Sequence, residues 1–155
     1  MVREVLFNWL QGEVAGTRCL DLFAGSGAWG FEAASRGAES VLQVEINPKV
    51  IRALKENIRR LEAVQVGTVM TNVRKFLGRS PAETFDLIFL DPPFGEGWVG
   101  RCCRSLEEGG WLKPGSWIYI EAEKNLEVPE VPASWERQRH KRVGDVGCHL
   151  YRRVT

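Results

Sequence analysis

The sequence predicts an α/β fold, with a mostly parallel, doubly wound sheet of seven strands that ends in an antiparallel hairpin. Three observations support it: short apolar runs alternate with helical patterns, a glycine-rich turn joins the first run to a helix, and two final strand patterns flank a turn. The 155 residues suit a single domain, 1–155, with one core. The formal net charge is only +1, so the charge of the whole chain does not indicate nucleic-acid binding.

The chain begins with a predicted amphipathic helix over residues 2–10. Its apolar face carries Val2, Val5, Leu6, Trp9 and Leu10, and its other faces carry Arg3, Glu4, Phe7 and Asn8. A buried strand over residues 18–23 then runs into small residues over 24–30, which let the backbone approach a ligand closely. The spacing of Gly25, Gly27 and Gly30 matches the dinucleotide fingerprint, a weak signal alone. The following helix, 28–36, ends at Gly37 as a left-handed cap.

Two further strands are each followed by a residue that can bind a nucleoside. The strand over 40–45 ends at Glu45, about 20 residues after the glycine loop, where an acid can hold the hydroxyls of a ribose; the alternative is a solvated strand end. Asn47 and Pro48 begin the next helix, whose apolar stripe is Ile51, Leu54, Ile58 and Leu61. After a strand over 64–70, Asn72 either binds an adenine edge or caps a helix over 73–77, and the sequence leaves both open.

The apolar run over residues 87–90 predicts a buried strand that ends in Asp91, Pro92, Pro93 and Phe94. Prolines cannot continue a central strand, so a stiff loop forms at the carboxyl end, where open α/β sheets bind ligands. The Asp91 carboxylate and the Pro92 carbonyl can accept hydrogen bonds from an exocyclic amine, and the Phe94 ring can stack on a base. The alternative is a turn that only caps the strand.

The last part of the chain predicts one more helix and three strands. Gly95, Gly97 and Gly100 form a candidate mobile lid, and the helix near residues 99–106 ends at Gly109 and Gly110. Residues 111–115 predict a turn into a strand over 116–121, and residues 125–132 a loop. The strands over 135–143 and 147–154 meet near Gly144 and Asp145 as a hairpin. This hairpin is basic, and it either contacts phosphates or forms a solvated edge.

Asp21 precedes the glycine loop and, with Gly25, Gly27 and Glu45, predicts a pocket for a nucleoside cofactor. A carboxylate there repels a pyrophosphate but attracts a sulfonium, which favours S-adenosylmethionine over a dinucleotide. The four cysteines form neither a zinc pattern nor a disulfide framework, so we expect no metal and a reducing cytoplasm. No stretch predicts a membrane span or a signal segment.

Residues 20–27 and 91–94 together resemble class I S-adenosylmethionine-dependent methyltransferases that act on an exocyclic base amine. The opening helix narrows the resemblance to the RsmD-type family, which methylates the 2-amino group of a specific guanine in bacterial 16S ribosomal RNA (rRNA). The resemblance runs nearly end to end and includes residues 110–112, 118–121 and 150–151. Family members carry a further N-terminal stretch with a basic hairpin, whereas this chain begins at the opening helix.

The resemblance implies a Rossmann-like class I fold, S-adenosylmethionine as cofactor and S-adenosylhomocysteine as product. It implies a cytoplasmic monomer, not bound to a membrane, whose partner is 16S rRNA in the small ribosomal subunit or an assembly intermediate. The residues implied for the cofactor are Asp21, Phe23, Ala24, Gly25, Ser26, Gly27, Glu45, Ile46, Asn72, Val73 and Asp91. Those implied for the substrate are Arg3, Asn8, Pro93 and Phe94, and those for catalysis are Asp91, Pro92 and Phe94.

Three alternatives compete with the guanine-specific hypothesis. An adenine-N(6) methylase of DNA or RNA would use the same loop over residues 91–94, although the sequence shows no extra domain for DNA target recognition. A nucleotide-binding oxidoreductase would use the glycine loop but leaves residues 91–94 unexplained. An RNA-binding module without catalysis would keep the fold and bind RNA without methyl transfer.

Overall fold

The structure is a computed structural model that describes residues 2–123 and 131–155. Within these residues, seven strands form one sheet and five helices cover its two faces. The strands are β1 (Arg18–Leu22), β2 (Ser40–Glu45), β3 (Val66–Met70), β4 (Phe85–Leu90), β5 (Leu112–Glu123), β6 (Trp135–Val143) and β7 (Val146–Arg153). The helices are α1 (Val2–Trp9), α2 (Ala28–Ser35), α3 (Pro48–Arg60), α4 (Val73–Leu77) and α5 (Trp98–Glu108).

The strand order, β3-β2-β1-β4-β5-β7-β6, confirms the predicted doubly wound sheet. Strands β1 to β5 pair in parallel, and β7 lies antiparallel between β5 and β6. The strand order reverses between β1 and β4, which are direct neighbours. A crevice opens at such a switch point, outside the carboxyl ends of the strands, and this is where open α/β sheets bind ligands.

The central strands β1 and β4 are buried between two apolar layers, one on each face of the sheet. Leu20, Leu22, Ile88 and Leu90 pack toward α4 and α5. Cys19, Leu87 and Phe89 pack toward α1 and α2. Since side chains alternate along a strand, Asp21 projects to the α1–α2 face, where its strand partner is Phe89.

Local signals in the sequence explain where the helices begin and end. The side-chain Oδ1 of Asn47 accepts a hydrogen bond from the Lys49 N–H at 2.9 Å, and Pro48 takes the first helical position, so α3 begins as predicted. The Asn72 oxygen accepts from the Lys75 N–H at 2.7 Å, so Asn72 caps α4. Gly37 has φ +94°, the left-handed conformation predicted after α2.

The predicted turn over residues 111–115 is wrong, because β5 already begins at Leu112. A shift in register beside Phe85 and Leu87 of β4 absorbs the extra residues in β5. The Ser116 hydroxyl supplies hydrogen bonds to backbone groups at this irregularity. It donates to the Phe85 carbonyl at 2.7 Å and accepts from the Lys113 N–H at 3.0 Å. The bulge therefore keeps the strand continuous where turn residues had indicated a break.

Smaller corrections come from tertiary packing. Phe7, predicted to lie off the apolar face of the first helix, is 1% exposed and packs against Phe89 with ring centroids 6.1 Å apart. Leu61, predicted to continue the stripe of α3, is 63% exposed. The strand predicted from residue 64 begins instead at Val66, and Val64 is 94% exposed. The predicted loop over residues 125–132 falls mostly on residues 124–130, outside the described part of the chain.

The edge hairpin of β6 and β7 is fastened to α5 by a single carboxylate. Glu107 accepts hydrogen bonds from the Ser134 hydroxyl at 2.8 Å, the Trp135 indole at 2.7 Å and the Arg153 guanidinium at 3.0 Å. Burial disfavours the charged form, but the hydrogen bonds from Arg153, Ser134 and Trp135 together hold the pKa of Glu107 below its ordinary value.

All four cysteines are free and buried. Among residues 2–123 and 131–155, no helix is both long and apolar enough to cross a membrane. The same residues contain no cluster of three or more acidic, cysteine or histidine side chains that could hold a metal ion.

Candidate active site

The loop that follows β4 presents one polar and one aromatic group at the carboxyl edge of the sheet. Asp91 comes directly after Leu90, the last residue of β4, and Pro92 behind it is buried. Phe94 is 47% exposed, so its ring is free to contact a ligand. The next turn is tied down, because the Gly95 N–H donates to the Glu123 carboxylate and the Arg101 guanidinium donates to the Glu96 carbonyl at 2.6 Å.

Glu45 braces the glycine loop from the neighbouring strand. Its Oε1 accepts from the Gly25 N–H at 3.0 Å, and its Oε2 accepts from the N–H groups of Ile46 at 3.0 Å and Asn47 at 2.9 Å. A carboxylate offers about four acceptor positions, so little capacity remains for a ribose hydroxyl. The assignment of Glu45 to the ribose stays a prediction, and the structure adds a second role in shaping the loop.

A cavity of about 640 Å³ opens between the carboxyl ends of β1, β2, β3 and β4. This volume is in the range of small-molecule sites, and it is large enough for a nucleoside. Nine of the residues predicted from the sequence line it: Phe23, Glu45, Ile46, Asn72, Val73, Asp91, Pro92, Pro93 and Phe94. Val44, Thr71, Glu96 and Trp98 complete the lining.

Asp21 lies beneath this edge, outside the lining of the cavity, and one of its carboxylate oxygens is buried without a partner in the part of the chain that the structure describes. The residue is 2% exposed, and its Oδ2 has no hydrogen-bond partner among the described residues. Burial, followed by the nearby charge of Asp91, raises the pKa of Asp21 well above its ordinary value, although a backbone hydrogen bond from Gly30 opposes this. An unpaired buried carboxylate is costly, so a bound cation would relieve it. The site therefore fits a cofactor that carries a positive charge.

The glycines of the loop leave no room for larger residues. Gly27 has φ +78°, and a Cβ atom there would lie 2.6 Å from Leu54 Cδ2 and 2.7 Å from Gln43 Nε2. A Cβ on Gly30 would approach the same Gln43 nitrogen at 2.8 Å and Asp21 Oδ2 at 3.4 Å. The glycines of the fingerprint therefore allow α2 to pack closely against β1 and β2, in addition to allowing a ligand to approach the backbone.

A second acid, Glu121, lies beside Asp91 near the carboxyl end of β5. Leu90 of β4 pairs with Ile120 of β5. Because the two strands are parallel, the next residues, Asp91 and Glu121, lie side by side. Glu121 is 7% exposed and accepts a hydrogen bond from the Tyr119 hydroxyl at 2.9 Å. Burial and the charge of Asp91 raise the pKa of Glu121 to about 7, although the Tyr119 bond opposes this. Burial also raises the pKa of Asp91.

The remaining predicted residues lie outside the main cavity. Gly25 and Ser26 border a separate shallow cleft of about 420 Å³ beside Lys49. Ala24 and Gly27 do not line either space. Arg3 and Asn8 are exposed on α1, and Arg3 lies 4.0 Å from Glu32.

Sequence reasoning missed five residues at or beside the site. Val44 was predicted only as part of the strand that ends at Glu45. Thr71 precedes the predicted Asn72, and Glu96 follows the predicted loop over residues 91–94. Both line the cavity because of the conformation of their loops, which the sequence pattern does not specify. Trp98 packs its ring against Phe23 at 5.3 Å, and its signal was an aromatic residue in a glycine-rich stretch. Glu121 had the same signal as Glu45, an acid near the end of an apolar strand.

Known proteins resemble this chain over nearly its whole length. Residues 1–152 match the family described as conserved hypothetical protein 95. Ribosomal RNA small subunit methyltransferase D of Escherichia coli (strain K12) is 40% identical over 152 residues, which is 98% of this chain and 76% of that protein. The solved structure named "Putative methyltransferase yhhF from Escherichia coli" has a TM-score of 0.95 at 39% identity and covers 99% of this chain and 86% of that one.

A more distant neighbour shares the fold alone. The RNA methyltransferase from Salinibacter ruber, solved in complex with S-adenosyl-L-homocysteine, is 15% identical with a TM-score of 0.73. The superposition covers 99% of this chain and 90% of that one.

Proposed function

This chain belongs to the conserved hypothetical protein 95 family, the RsmD-type family that its opening helix and Asp-Pro-Pro-Phe loop predicted, and we propose that it is an rRNA guanine-N(2) methyltransferase. The proposed reaction places a methyl group from S-adenosylmethionine on the exocyclic 2-amino group of a specific guanine in 16S rRNA. The observation that carries the proposal is the shared cavity, in which the Asp91 loop meets Glu45 and Asn72.

The residues at the switch point fit S-adenosylmethionine. When bound, this cofactor supplies an electrophilic methyl group on a positively charged sulfur. Burial disfavours the charged form of Asp21, so a cation bound nearby would stabilise that form and its unpaired Oδ2. The attraction between the two charges would be stronger there than in water. Glu45 and Asn72 line the part of the cavity assigned to the nucleoside, with Ile46 and Val73 as its apolar walls.

The loop after β4 orients the target base. The Asp91 carboxylate and the Pro92 carbonyl accept hydrogen bonds from the exocyclic amine, while the exposed Phe94 ring stacks on the base. The base must leave its stack to reach this depth. A guanine amine is a weak nucleophile because its lone pair is drawn into the ring, so positioning and hydrogen bonding are the main contributions of the protein.

The substrate and setting belong to the same proposal. The named relatives act on ribosomal RNA, and the edge of this sheet beyond β5 carries a run of exposed basic residues. We place the activity in a bacterial cytoplasm, on the small ribosomal subunit or an assembly intermediate, with the protein acting as a monomer. An adenine-N(6) methylase would use the same loop, and the residues over 91–94 suit either amine.

The first test is transfer of labelled methyl from S-adenosylmethionine to unmethylated small subunits, naked 16S rRNA and duplex DNA. Digestion then identifies the labelled nucleoside. Label in 2-methylguanosine from the ribosomal substrates is the expected result. Label in 6-methyladenine would replace the guanine assignment with the adenine one, and no label on any substrate would contradict the proposed activity.

A variant assigns the role of Asp91. Asp91→Ala should lower turnover far more than cofactor affinity, since the carboxylate acts on the amine in the transition state. Calorimetric titration with S-adenosylhomocysteine measures the affinity separately. An equal loss of turnover and affinity would contradict the role given to Asp91 at the amine.

A further inference from the structure

Strand β6 is an edge strand whose two faces both lie in solvent. Residues 136–142 are all exposed, and β7 is the strand's single partner within the described residues. Four of the exposed side chains, Arg137, Arg139, Lys141 and Arg142, carry positive charge. A chain with a net charge of only +1 therefore concentrates cations at one border of its sheet.

The register divides these cations between the two faces. Arg139 pairs with Leu150 and Lys141 pairs with Cys148, and both partners belong to the apolar layer beneath α1 and α2. Arg139 and Lys141 consequently project to the α1–α2 face, the face that carries Asp21. A shift in register between residues 137 and 139 turns Arg137 to the opposite face, beside Tyr151.

The same register measures how far these cations are from the site. Lys141 pairs with Cys148, Cys148 pairs with Glu121, and Glu121 follows beside Asp91. Three strand spacings separate Lys141 from Asp91, which is about 14 Å. Strand β6 also points in the same direction as β5, so its carboxyl end lies at the edge of the sheet where the cavity opens.

The two side chains are suited to a phosphate backbone. Within the described residues neither Arg139 nor Lys141 forms an ion pair. Alternate residues on a strand lie about 6.6 Å apart, a spacing comparable to that of neighbouring phosphates on an extended nucleic-acid strand. Arginine binds phosphate through paired N–H groups and lysine through a point charge.

We propose that the Arg139–Lys141 face of β6 binds the ribose-phosphate backbone of the RNA whose flipped base enters the cavity. The inference rests on the proposed function for the identity of the polymer. Backbone contacts of this kind fix orientation and register without reading sequence. The face would thus hold the RNA three strand spacings from the reaction while the Asp91 loop selects the base.

Edge strands also carry charges for another reason, which is to prevent pairing with other sheets. That purpose alone predicts that loss of the cations causes self-association and leaves RNA affinity unchanged. The phosphate-binding role predicts a weaker complex with RNA and a smaller dependence on salt, because each lost contact removes one released counterion.

The test compares two double variants that each remove two positive charges. Arg139→Gln with Lys141→Gln alters the proposed face, and Arg52→Gln with Lys55→Gln alters exposed positions on α3, at the other border of the sheet. Binding to unmethylated 16S rRNA and to small subunits is measured across a series of salt concentrations. Titration with S-adenosylhomocysteine and gel filtration monitor the cofactor site and self-association.

We expect the β6 variant to bind RNA more weakly and to reduce the slope of log affinity against log salt by about 1.5–2, with cofactor affinity unchanged. The α3 variant should keep the wild-type slope. Equal slopes in all three proteins, no RNA binding by wild type, or self-association without loss of RNA affinity would overturn the inference. Failure of the proposed function would instead appear as absent methyl transfer, whichever slopes are found.

Discussion

Glu121 allows a sharp test, because its environment couples the stability of the protein to pH. The residue is 7% exposed beside Asp91, and its pKa is raised from 4.5 to about 7, first by burial and then by the charge of Asp91. A rise of this size corresponds to about 3 kcal/mol of unfolding free energy. Because the folded pKa is the higher one, this contribution is complete below about pH 4.5 and is lost as the pH rises through about 7.

The variant Glu121→Gln removes the titration but keeps the shape. Its amide oxygen can still accept the hydrogen bond from the Tyr119 hydroxyl, which Glu121 accepts at 2.9 Å. The unfolding free energy of wild type minus that of the variant should therefore fall by about 2–3 kcal/mol between pH 5 and pH 8. The cofactor-free proteins would then cross, with the variant gaining relative stability in alkaline buffer.

Urea denaturation at half-unit pH intervals measures this difference, provided that the slope with urea is the same for both proteins. Glu13→Gln, at an exposed position after α1, serves as the control and should follow wild type throughout. A difference between wild type and Glu121→Gln that stays constant from pH 5 to pH 8 would refute the reasoning.

Three further predictions use other features of the structure. Glu107→Gln should lower the unfolding free energy by about 1–3 kcal/mol at pH 7, since Ser134, Trp135 and Arg153 lose a charged acceptor. The difference from wild type should shrink below about pH 4, because the pKa of Glu107 is lowered in the folded protein and its stabilising charge is lost in acid. Urea denaturation at both pH values measures the difference. Gly27→Ala should destabilise the protein more than Gly12→Ala in thermal melts, because both glycines have positive φ but only Gly27 has atoms within 3 Å of the added carbon. Asp21→Asn should weaken S-adenosylmethionine binding about tenfold or more in calorimetric titrations, and S-adenosylhomocysteine, which lacks the sulfonium charge, should lose less.

The sequence was most informative where one residue type can satisfy a local requirement. Asn47 and Gly37 are examples, because capping and left-handed backbone depend on few neighbours. The Asp91 loop was equally clear, since two consecutive prolines after a buried apolar run force the strand to stop there.

Features that depend on pairing between distant segments were not visible. The continuation of β5 through residues 113–115 needs Ser116 to bond to Phe85, and neither residue signals the other in the sequence. The burial of Phe7 depends on Phe89. The raised pKa of Glu121 depends first on burial in the folded protein and then on the charge of Asp91. The cation face of β6 likewise required the register with β7, because a bulge decides which side chains share a face.

The insertion of β7 between β5 and β6 has a consequence for synthesis on the ribosome. During translation β6 emerges before β7, yet β7 is its sheet partner and the strand that joins it to β5. The basic strand β6 therefore has no sheet partner until β7 has left the exit tunnel. The core of β1 to β5 can form before β6 and β7 are added to the edge of the sheet. Premature termination after Val143 would leave β5 as an open edge, with its apolar run available for aggregation.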